Sequence, residues 1–322
     1  MAHLQVLQSN GIHPDVKTEN RFIEANTEPI NLEEVSEKHI IPVFVKDNTP
    51  LISQLDFIQT TLDISRQVFG ASISEPSIRV SHPIKGRIPD ARHKVAQELL
   101  EHEKTIYYER MAFVSDVPSI KEVINGQELL LTVGGIKAYN EDNVYNIGGS
   151  LQRFRVFVGF KVRVCTNLSI WTDGYSGEIR VRSLDELGEK IYQLVHQYQA
   201  EVHLEHLRTL NNYDLTEQQF AMLLGKVRLY NFLPNKYRKD IPEFLISDSQ
   251  VSTVAKQYYK DEHFSGKAEQ GINLWNLYNL FTDSVKSSYI DTFADRNTNA
   301  LTFSLGLRDA LEGKGNYDWF LN

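Results

Sequence analysis

Residues 154–164 constrain the fold more than any other stretch, because their side chains alternate in character along the whole run. Every even position is apolar: Phe154, Val156, Val158, Phe160, Val162 and Val164. The odd positions include three basic residues: Arg155, Lys161 and Arg163. Successive side chains of a strand point to opposite faces of a sheet, so residues 154–168 are predicted to form a long strand with one core face and one basic face. Burial of each apolar side chain contributes about 1.5–3 kcal/mol, and we place this strand at the centre of the sheet.

The remainder of the first half also has the composition of strands. Strands or extended segments are expected at residues 77–83, 105–114, 128–133 and 178–182. A turn signal at Gly126 precedes the third of these segments, while Gly134 and Gly135 are expected to break it. Ser53 is a suitable N-cap for a helix. Helices should therefore interrupt the strands at residues 54–69 and 90–102.

The second half has the periodicity of helices. Ser183 with Glu186 and Thr216 with Gln219 each match a capping box, a pair of side chains that satisfies free backbone N–H groups at a helix start. The expected helices cover residues 184–210, 217–234, 251–260, 272–293 and 299–311. An antiparallel sheet in the first half packed with a helical second half defines an α+β fold, and this is the class that the sequence predicts.

Charge and composition divide the chain into three parts. Residues 1–38 are polar and acidic, and we expect a flexible N-terminal arm there. Residues 39–182 are rich in strands and residues 183–322 in helices, and together they are expected to form one domain. Cys165 is the only cysteine, so an intramolecular disulfide is impossible and a reducing compartment is favoured. The sequence shows no secretory signal pattern and no apolar run of membrane-spanning length, so we expect a cytoplasmic protein without a membrane partner.

Several strings of the sequence point to one family. They cover residues 78–87, 107–113, 132–140, 158–168, 274–282 and 286–291. In these strings the chain resembles a domain-of-unknown-function family of Bacteroides mobile elements. The resemblance covers residues 40–320. The strings that begin at Val164 (Val-Cys-Thr-Asn) and Trp275 (Trp-Asn-Leu-Tyr-Asn) are also similar to a broader phage/plasmid-like family. The resemblance implies a bacterial cytoplasm and a mobile-element setting, which favours DNA maintenance or interference with host defence, and it implies no catalytic residue.

Basic residues on the predicted sheet form the candidate binding site. If the strands at 154–168 and 178–182 lie in one sheet, five basic side chains share the face that points away from the core: Arg155, Lys161, Arg163, Arg180 and Arg182. A second basic group precedes them: Arg79, Lys85 and Arg87. Phosphates attract such cations and aromatic rings such as that of Phe157 stack on bases, so this face predicts binding of DNA or RNA, single strands included. In the alternative interpretation, second-half helices cover the face and acids pair with its arginines.

The overall charge keeps a second function open. The net charge of −8 does not indicate nucleic-acid binding by the whole surface, so any such site must be a local patch. Together with the acidic arm, this charge also fits an acidic protein-interaction module that interferes with a host DNA-binding defence protein.

Signatures of an enzyme are weak. The chain lacks the phosphate-binding strings Gly-x-x-x-x-Gly-Lys-Ser/Thr and Gly-x-Gly-x-x-Gly, and it lacks the nucleophile string Gly-x-Ser-x-Gly. His203 and His206 are spaced to share a metal on one helix, but no matching second pair of ligands occurs. Cys165 lies in phase with the basic residues and is expected to pack under a helix. We therefore predict no catalytic residue, no metal and no cofactor.

Overall fold

The main sheet is antiparallel, and its first strand lies closer to the N-terminus than the sequence predicted. The computed structural model describes residues 21–38, 51–81, 83–91, 93–142 and 151–322. In chain order, the strands within them are β1 (Glu28–Ile30), β2 (Ser77–Val80), β3 (Pro83–Arg87), β4 (Lys104–Tyr108), β5 (Arg110–Ile124), β6 (Gln127–Ala138), β7 (Gln152–Val162), β8 (Leu168–Tyr175), β9 (Ile179–Val181), β10 (Asp214–Leu215) and β11 (Ile272–Asn273). The main sheet has the order β1-β2-β5-β6-β7-β8, and β9 also pairs with β7. Two separate ribbons pair β3 with β4 and β10 with β11.

Helices dominate the second half, which confirms the α+β class. The described helices are α1 (Leu32–Lys38), α2 (Gln54–Phe69), α3 (Leu184–Gln197), α4 (Ala200–Leu210), α5 (Glu217–Phe232), α6 (Asn235–Arg238), α7 (Asp248–Gln257), α8 (Leu274–Val285) and α9 (Ile290–Leu311). Short 3₁₀ turns cover residues 89–91, 96–98, 101–103, 139–141 and 317–320. Ser53 caps α2 and a capping box at Thr216 begins α5, as predicted. Ser183 caps α3 by accepting from the Glu186 N–H, but the Glu186 carboxylate accepts from the backbone N–H of Arg182, so the predicted capping box is incomplete. Among these helices, none combines the length and the apolar character that crossing a bilayer requires.

Helices cover both faces of the sheet. On one face, the Phe57 ring of α2 packs against Phe113 and Phe154, with centroid distances of 5.4 and 4.9 Å. On the other face, the Tyr175 hydroxyl of β8 donates a hydrogen bond of 2.7 Å to Asp295 of α9, and α9 packs along β5, β6 and β8. The predicted alternation of side chains along β7 therefore holds. The face of the sheet that was expected to be open to solvent is instead covered by a helix.

The strand predicted at residues 154–168 ends early, at Val162. The backbone N–H of Thr166 donates to the Val162 carbonyl at 2.8 Å, and Thr166 has a φ of +58°. This left-handed conformation reverses the chain, which returns as β8. Val164, expected on the core face, is instead exposed in the turn.

The Gly134-Gly135 pair does not break its strand, and that prediction is wrong. β6 runs through both residues. A Cβ atom at Gly135 would lie 2.4 Å from the Phe57 ring, and one at Gly134 would lie 2.4 Å from the Phe157 ring. The two glycines therefore allow aromatic rings to lie against each face of the sheet. Phe157, which the sequence placed on the exposed basic face, is itself buried.

Four of the predicted helices also differ from the structure. Residues 90–102 contain 3₁₀ turns and no α-helix within their described part. The helix predicted over 184–210 is split at Tyr198, whose ψ of 128° is extended. The helix predicted over 272–293 divides into α8 and the start of α9, and α9 includes the helix predicted at 299–311.

Residues 21–38 are part of the folded body, which differs from the flexible arm expected over residues 1–38. β1 pairs with β2, and the side chains of Phe22, Ile23 and Val35 are buried. The Phe22 ring contacts Phe293 of α9, with 6.1 Å between centroids. Few apolar residues are present here, but Phe22, Ile23 and Val35 fill positions in the core. Residues 1–20 of the expected arm lie outside the described residues.

Candidate nucleic-acid interface

The two basic residues predicted on the exposed face of β7 are engaged in ion pairs. The Arg155 guanidinium donates to both carboxylate oxygens of Glu141, at 2.6 and 3.0 Å. The Lys161 ammonium lies 2.7 Å from an Asp116 oxygen, and its side chain is 14% exposed. Burial by itself would lower the pKa of Arg155, and the hydrogen bonds to Glu141 raise that pKa above its usual range. These two cations are therefore paired and largely shielded from a polyanion.

Three other predicted residues lie at the surface around the ends of the strands. Arg163, in the turn after β7, is paired with Glu128 at 2.6 Å, and Arg180 of β9 is paired with Glu178 at 2.5 Å. Arg182 is exposed, and within the described residues its side chain has no carboxylate partner. Exposed ion pairs of this kind contribute only about 0–1 kcal/mol each, but they neutralise the local charge. The five residues thus do not form one continuous exposed face.

The second predicted group is also engaged by the protein itself. Arg79 is 3% exposed, and its Nε donates to the Thr27 hydroxyl at 3.0 Å. The Arg87 guanidinium donates to the backbone carbonyl of Lys94. The side chain of Lys85 lies outside the described residues. Arg79 therefore fastens the N-terminal segment to the sheet, a role that sequence charge alone does not indicate.

His203 of α4 belongs to a buried hydrogen-bond network. His203 is fully buried, with its Nε2 2.8 Å from the Ser169 hydroxyl and its Nδ1 2.7 Å from the Tyr198 hydroxyl. Burial, aided by His206, lowers the pKa of His203 to about 3, so the ring is neutral at physiological pH. No group of three or more metal-ligating side chains occurs among the described residues. Burial also raises the pKa of the Cys165 thiol.

A different part of the chain, α5 with α6, combines exposed rings with positive charge. Between Glu217 and Asp240 the sequence contains no Asp or Glu and five basic residues: Lys226, Arg228, Lys236, Arg238 and Lys239. α5 buries one face through Phe220, Leu223 and Val227. Its last residue, Phe232, is 76% exposed, and Tyr237 of α6 is 57% exposed. We call these five basic residues with Phe232 and Tyr237 the α5–α6 surface.

Most cations of the α5–α6 surface have no acidic partner. Arg228 is paired with Asp248 at 2.7 Å. Across the described part of the chain, the other four cations lie beyond ion-pair distance of any carboxylate. Two of the lysines stand over aromatic rings: Lys226 over Trp319 at 4.8 Å and Lys236 over Tyr237 at 4.6 Å. The Arg238 guanidinium donates to the Asn231 carbonyl at 2.7 Å and stands over the Tyr230 ring. Lys236 and Lys239 are exposed, so their charge is available to an external anion, unlike that of the sheet.

Local sequence explains how the surface is shaped. The Thr216 hydroxyl accepts a hydrogen bond from the backbone N–H of Gln219, which fixes the start of α5. Leu233 is extended, with a ψ of 136°, because Pro234 disfavours a helical conformation at the preceding residue. α6 begins directly after Pro234, so Phe232 and Tyr237 are separated by only a short stretch of sequence. The absence of acidic residues over 218–239 was the sequence signal that could have revealed this surface. Helix periodicity alone gave no reason to choose this segment as a binding site.

Comparison with known proteins identifies the family of the chain. No curated protein and no solved structure matches it. One family model, described as "Domain of unknown function, B. Theta Gene description (DUF3871)", matches residues 7–321. Because the match covers nearly the whole chain, the protein belongs to this family.

Proposed function

We propose that the protein binds single-stranded nucleic acid through the α5–α6 surface. The observation that carries this proposal is the presence of unpaired cations beside the exposed rings of Phe232 and Tyr237. Proteins that bind single strands without sequence preference combine a positive surface for the backbone with rings that stack on bases. The resemblance of the sequence to mobile-element proteins is a further reason to consider DNA as the ligand.

The exposed rings favour single strands over duplexes. A base in a duplex is already stacked on its neighbours, whereas a base in a single strand offers a free face to Phe232 or Tyr237. Each such stack is worth about 1–3 kcal/mol. Since the net charge of the chain is −8, binding is expected only where the local charge is positive and should weaken steeply with salt.

The test compares fluorescence anisotropy of a labelled oligo-dT strand with that of a matched duplex at low salt. Phe232→Ala combined with Tyr237→Ala should weaken binding of the single strand by about 5- to 150-fold for each stacked base that is lost. Lys190→Ala combined with Tyr192→Ala is the control, because both residues are exposed on α3. This control should bind as the wild type does.

The outcomes separate the two candidate functions. If the wild type binds neither oligonucleotide at low salt, the nucleic-acid proposal is refuted. The protein-interaction candidate then takes its place, favoured by the acidic residues exposed on the docked N-terminal segment: Glu24, Glu28, Glu33 and Glu37. Such a face would attract a basic protein.

A further inference from the structure

A cavity of about 470 Å³ lies beside α9, and none of its lining residues belongs to the α5–α6 surface. Its volume falls within the range of small-molecule pockets, about 300–1,000 Å³. α9 contributes Asp295, Asn299 and Thr302 from successive turns, and β8 contributes Tyr175. The loop before α7 and the last 3₁₀ turn complete the lining.

Two carboxylates face this cavity without a paired cation. Glu243 and Asp295 both line it, and within the described residues neither lies at ion-pair distance from a Lys or Arg side chain. Arg155 is close enough to interact electrostatically with Asp295, but its guanidinium is bonded to Glu141. Among the described residues, the lining includes no Lys, Arg or His. The cavity therefore presents two carboxylates that have no ion-pair partner within the described residues.

Hydrogen bonds hold the Asp295 carboxylate and the backbone of the loop that carries Glu243. The Tyr175 hydroxyl donates to Asp295 at 2.7 Å. Asn299 fixes the loop that carries Glu243: its Nδ2 donates to the Glu243 carbonyl at 2.9 Å, and its Oδ1 accepts from the Leu245 backbone N–H at 2.8 Å. The Asp295 carboxylate and the backbone of Glu243 are thus positioned before any ligand arrives, which reduces the entropic cost of binding.

Two tyrosine rings complete the site. Tyr317 packs over Gly306, where a Cβ atom would lie 2.5 Å from the ring, so the glycine allows the ring to reach its position. Burial, and then the charge of Asp295, raise the pKa of Tyr175, and burial also raises the pKa of Tyr317. Both phenols are therefore neutral at physiological pH. An aromatic ring attracts a cation through its π face, and a nearby carboxylate adds a direct charge interaction.

We propose that this cavity binds a small organic cation that carries a guanidinium or primary ammonium group. Glu243 and Asp295 would accept its N–H groups, and the rings of Tyr175 and Tyr317 would contact its charged and aliphatic parts. A neutral molecule of the same shape would lose the charge interactions that distinguish the site. This inference is independent of nucleic-acid binding, because the two sites share no residue.

The test is calorimetric titration of the full chain with n-butylguanidinium and n-butylamine, with n-butylurea as the neutral analogue of the same shape. At least one cation should bind the wild type, and n-butylurea should bind at least tenfold more weakly. Glu243→Gln combined with Asp295→Asn keeps the shape of both side chains and should weaken cation binding at least tenfold. Glu189→Gln, at an exposed site on α3, is the control and should bind as the wild type does.

Two results would overturn the proposal. One is that neither cation binds the wild type at millimolar concentration. The other is that the cation binds equally well to the wild type and to the folded double variant. If the double variant does not fold, Thr302→Val, which replaces a hydroxyl in the lining by a methyl group, provides the second variant. It should alter cation affinity at least threefold, and an unchanged affinity would place binding elsewhere.

Discussion

Lys161→Met tests whether the basic residues of the sheet stabilise the fold or bind a ligand. Lys161 and Asp116 form an ion pair with 2.7 Å between Nζ and Oδ2, and their side chains are 14% and 19% exposed. Asp116 also accepts a hydrogen bond of 2.9 Å from Thr132. Methionine fills a similar volume but leaves the Asp116 carboxylate without a cation. Loss of one partner from a buried pair costs about 3–5 kcal/mol, and partial solvent access places the expected loss near the lower end, about 3 kcal/mol.

Urea unfolding measures this loss as a change in the free energy of unfolding. Arg163→Ala is the comparison, because Arg163 belongs to an exposed pair with Glu128 and should cost less than about 1 kcal/mol. Lys161→Met combined with Asp116→Asn removes both charges and should recover part of the lost stability. The reasoning is refuted if Lys161→Met unfolds like the wild type, or if the folded variant loses nucleic-acid binding.

Three further predictions concern the fold. Gly135→Ala should lower the free energy of unfolding by about 1–3 kcal/mol, because its Cβ would overlap the Phe57 ring; an unchanged thermal melt would contradict the packing. Deletion of residues 1–38 should abolish or markedly weaken the cooperative melt, because it removes β1 and buried core residues; a stable truncated chain would show that the segment is dispensable. The pKa of His203 lies below its usual value of 6.5, so protonation opposes folding. Stability should fall by about 1.4 kcal/mol per pH unit as the pH drops from 6.5 towards 3. Urea unfolding at two pH values should show a smaller fall in the free energy of unfolding for His203→Gln than for a control variant at exposed His196. Equal falls would contradict the assignment of this pH dependence to His203.

Sequence periodicity was sufficient to predict the α+β class, because it shows which side of each helix or strand is apolar. The alternation in β7 and the capping signatures at Ser53 and Thr216 are local properties, and the structure bears them out. The end of β7 was missed because it depends on the left-handed conformation of Thr166, a residue type without a strong turn signal.

The charge on the sheet could not be interpreted from local sequence. Arg155 and Lys161 alternate with apolar residues, which is typical of a strand with one solvent face. Their partners, Glu141 and Asp116, belong to other elements, and α9, which contributes Asp295 near Arg155, begins more than a hundred residues later. Whether a strand face is covered is set by tertiary packing and not by the strand itself.

The candidate sites differ in how visible they are in the sequence. The α5–α6 surface has a local signal, since acids are absent between Glu217 and Asp240. The cavity beside α9 has no such signal. Tyr175, Glu243 and Tyr317 come from three separate regions and meet only because the β8–α9 packing and the Asn299 hydrogen bonds bring them together.

The most direct test of the proposed interface is the salt dependence of oligo-dT binding, measured by anisotropy over a series of salt concentrations. Two variants are compared with the wild type: Lys236→Ala with Lys239→Ala, and Arg163→Ala with Arg180→Ala. Each phosphate contact on a single strand contributes a slope of about 0.7 to the dependence of log K on log salt. The lysine variant should therefore reduce the slope by about 1.4, whereas the arginine variant, whose cations are paired with Glu128 and Glu178, should leave it unchanged. An unchanged slope for the lysine variant, with a reduced slope for the arginine variant, would contradict the assignment of binding to the α5–α6 surface.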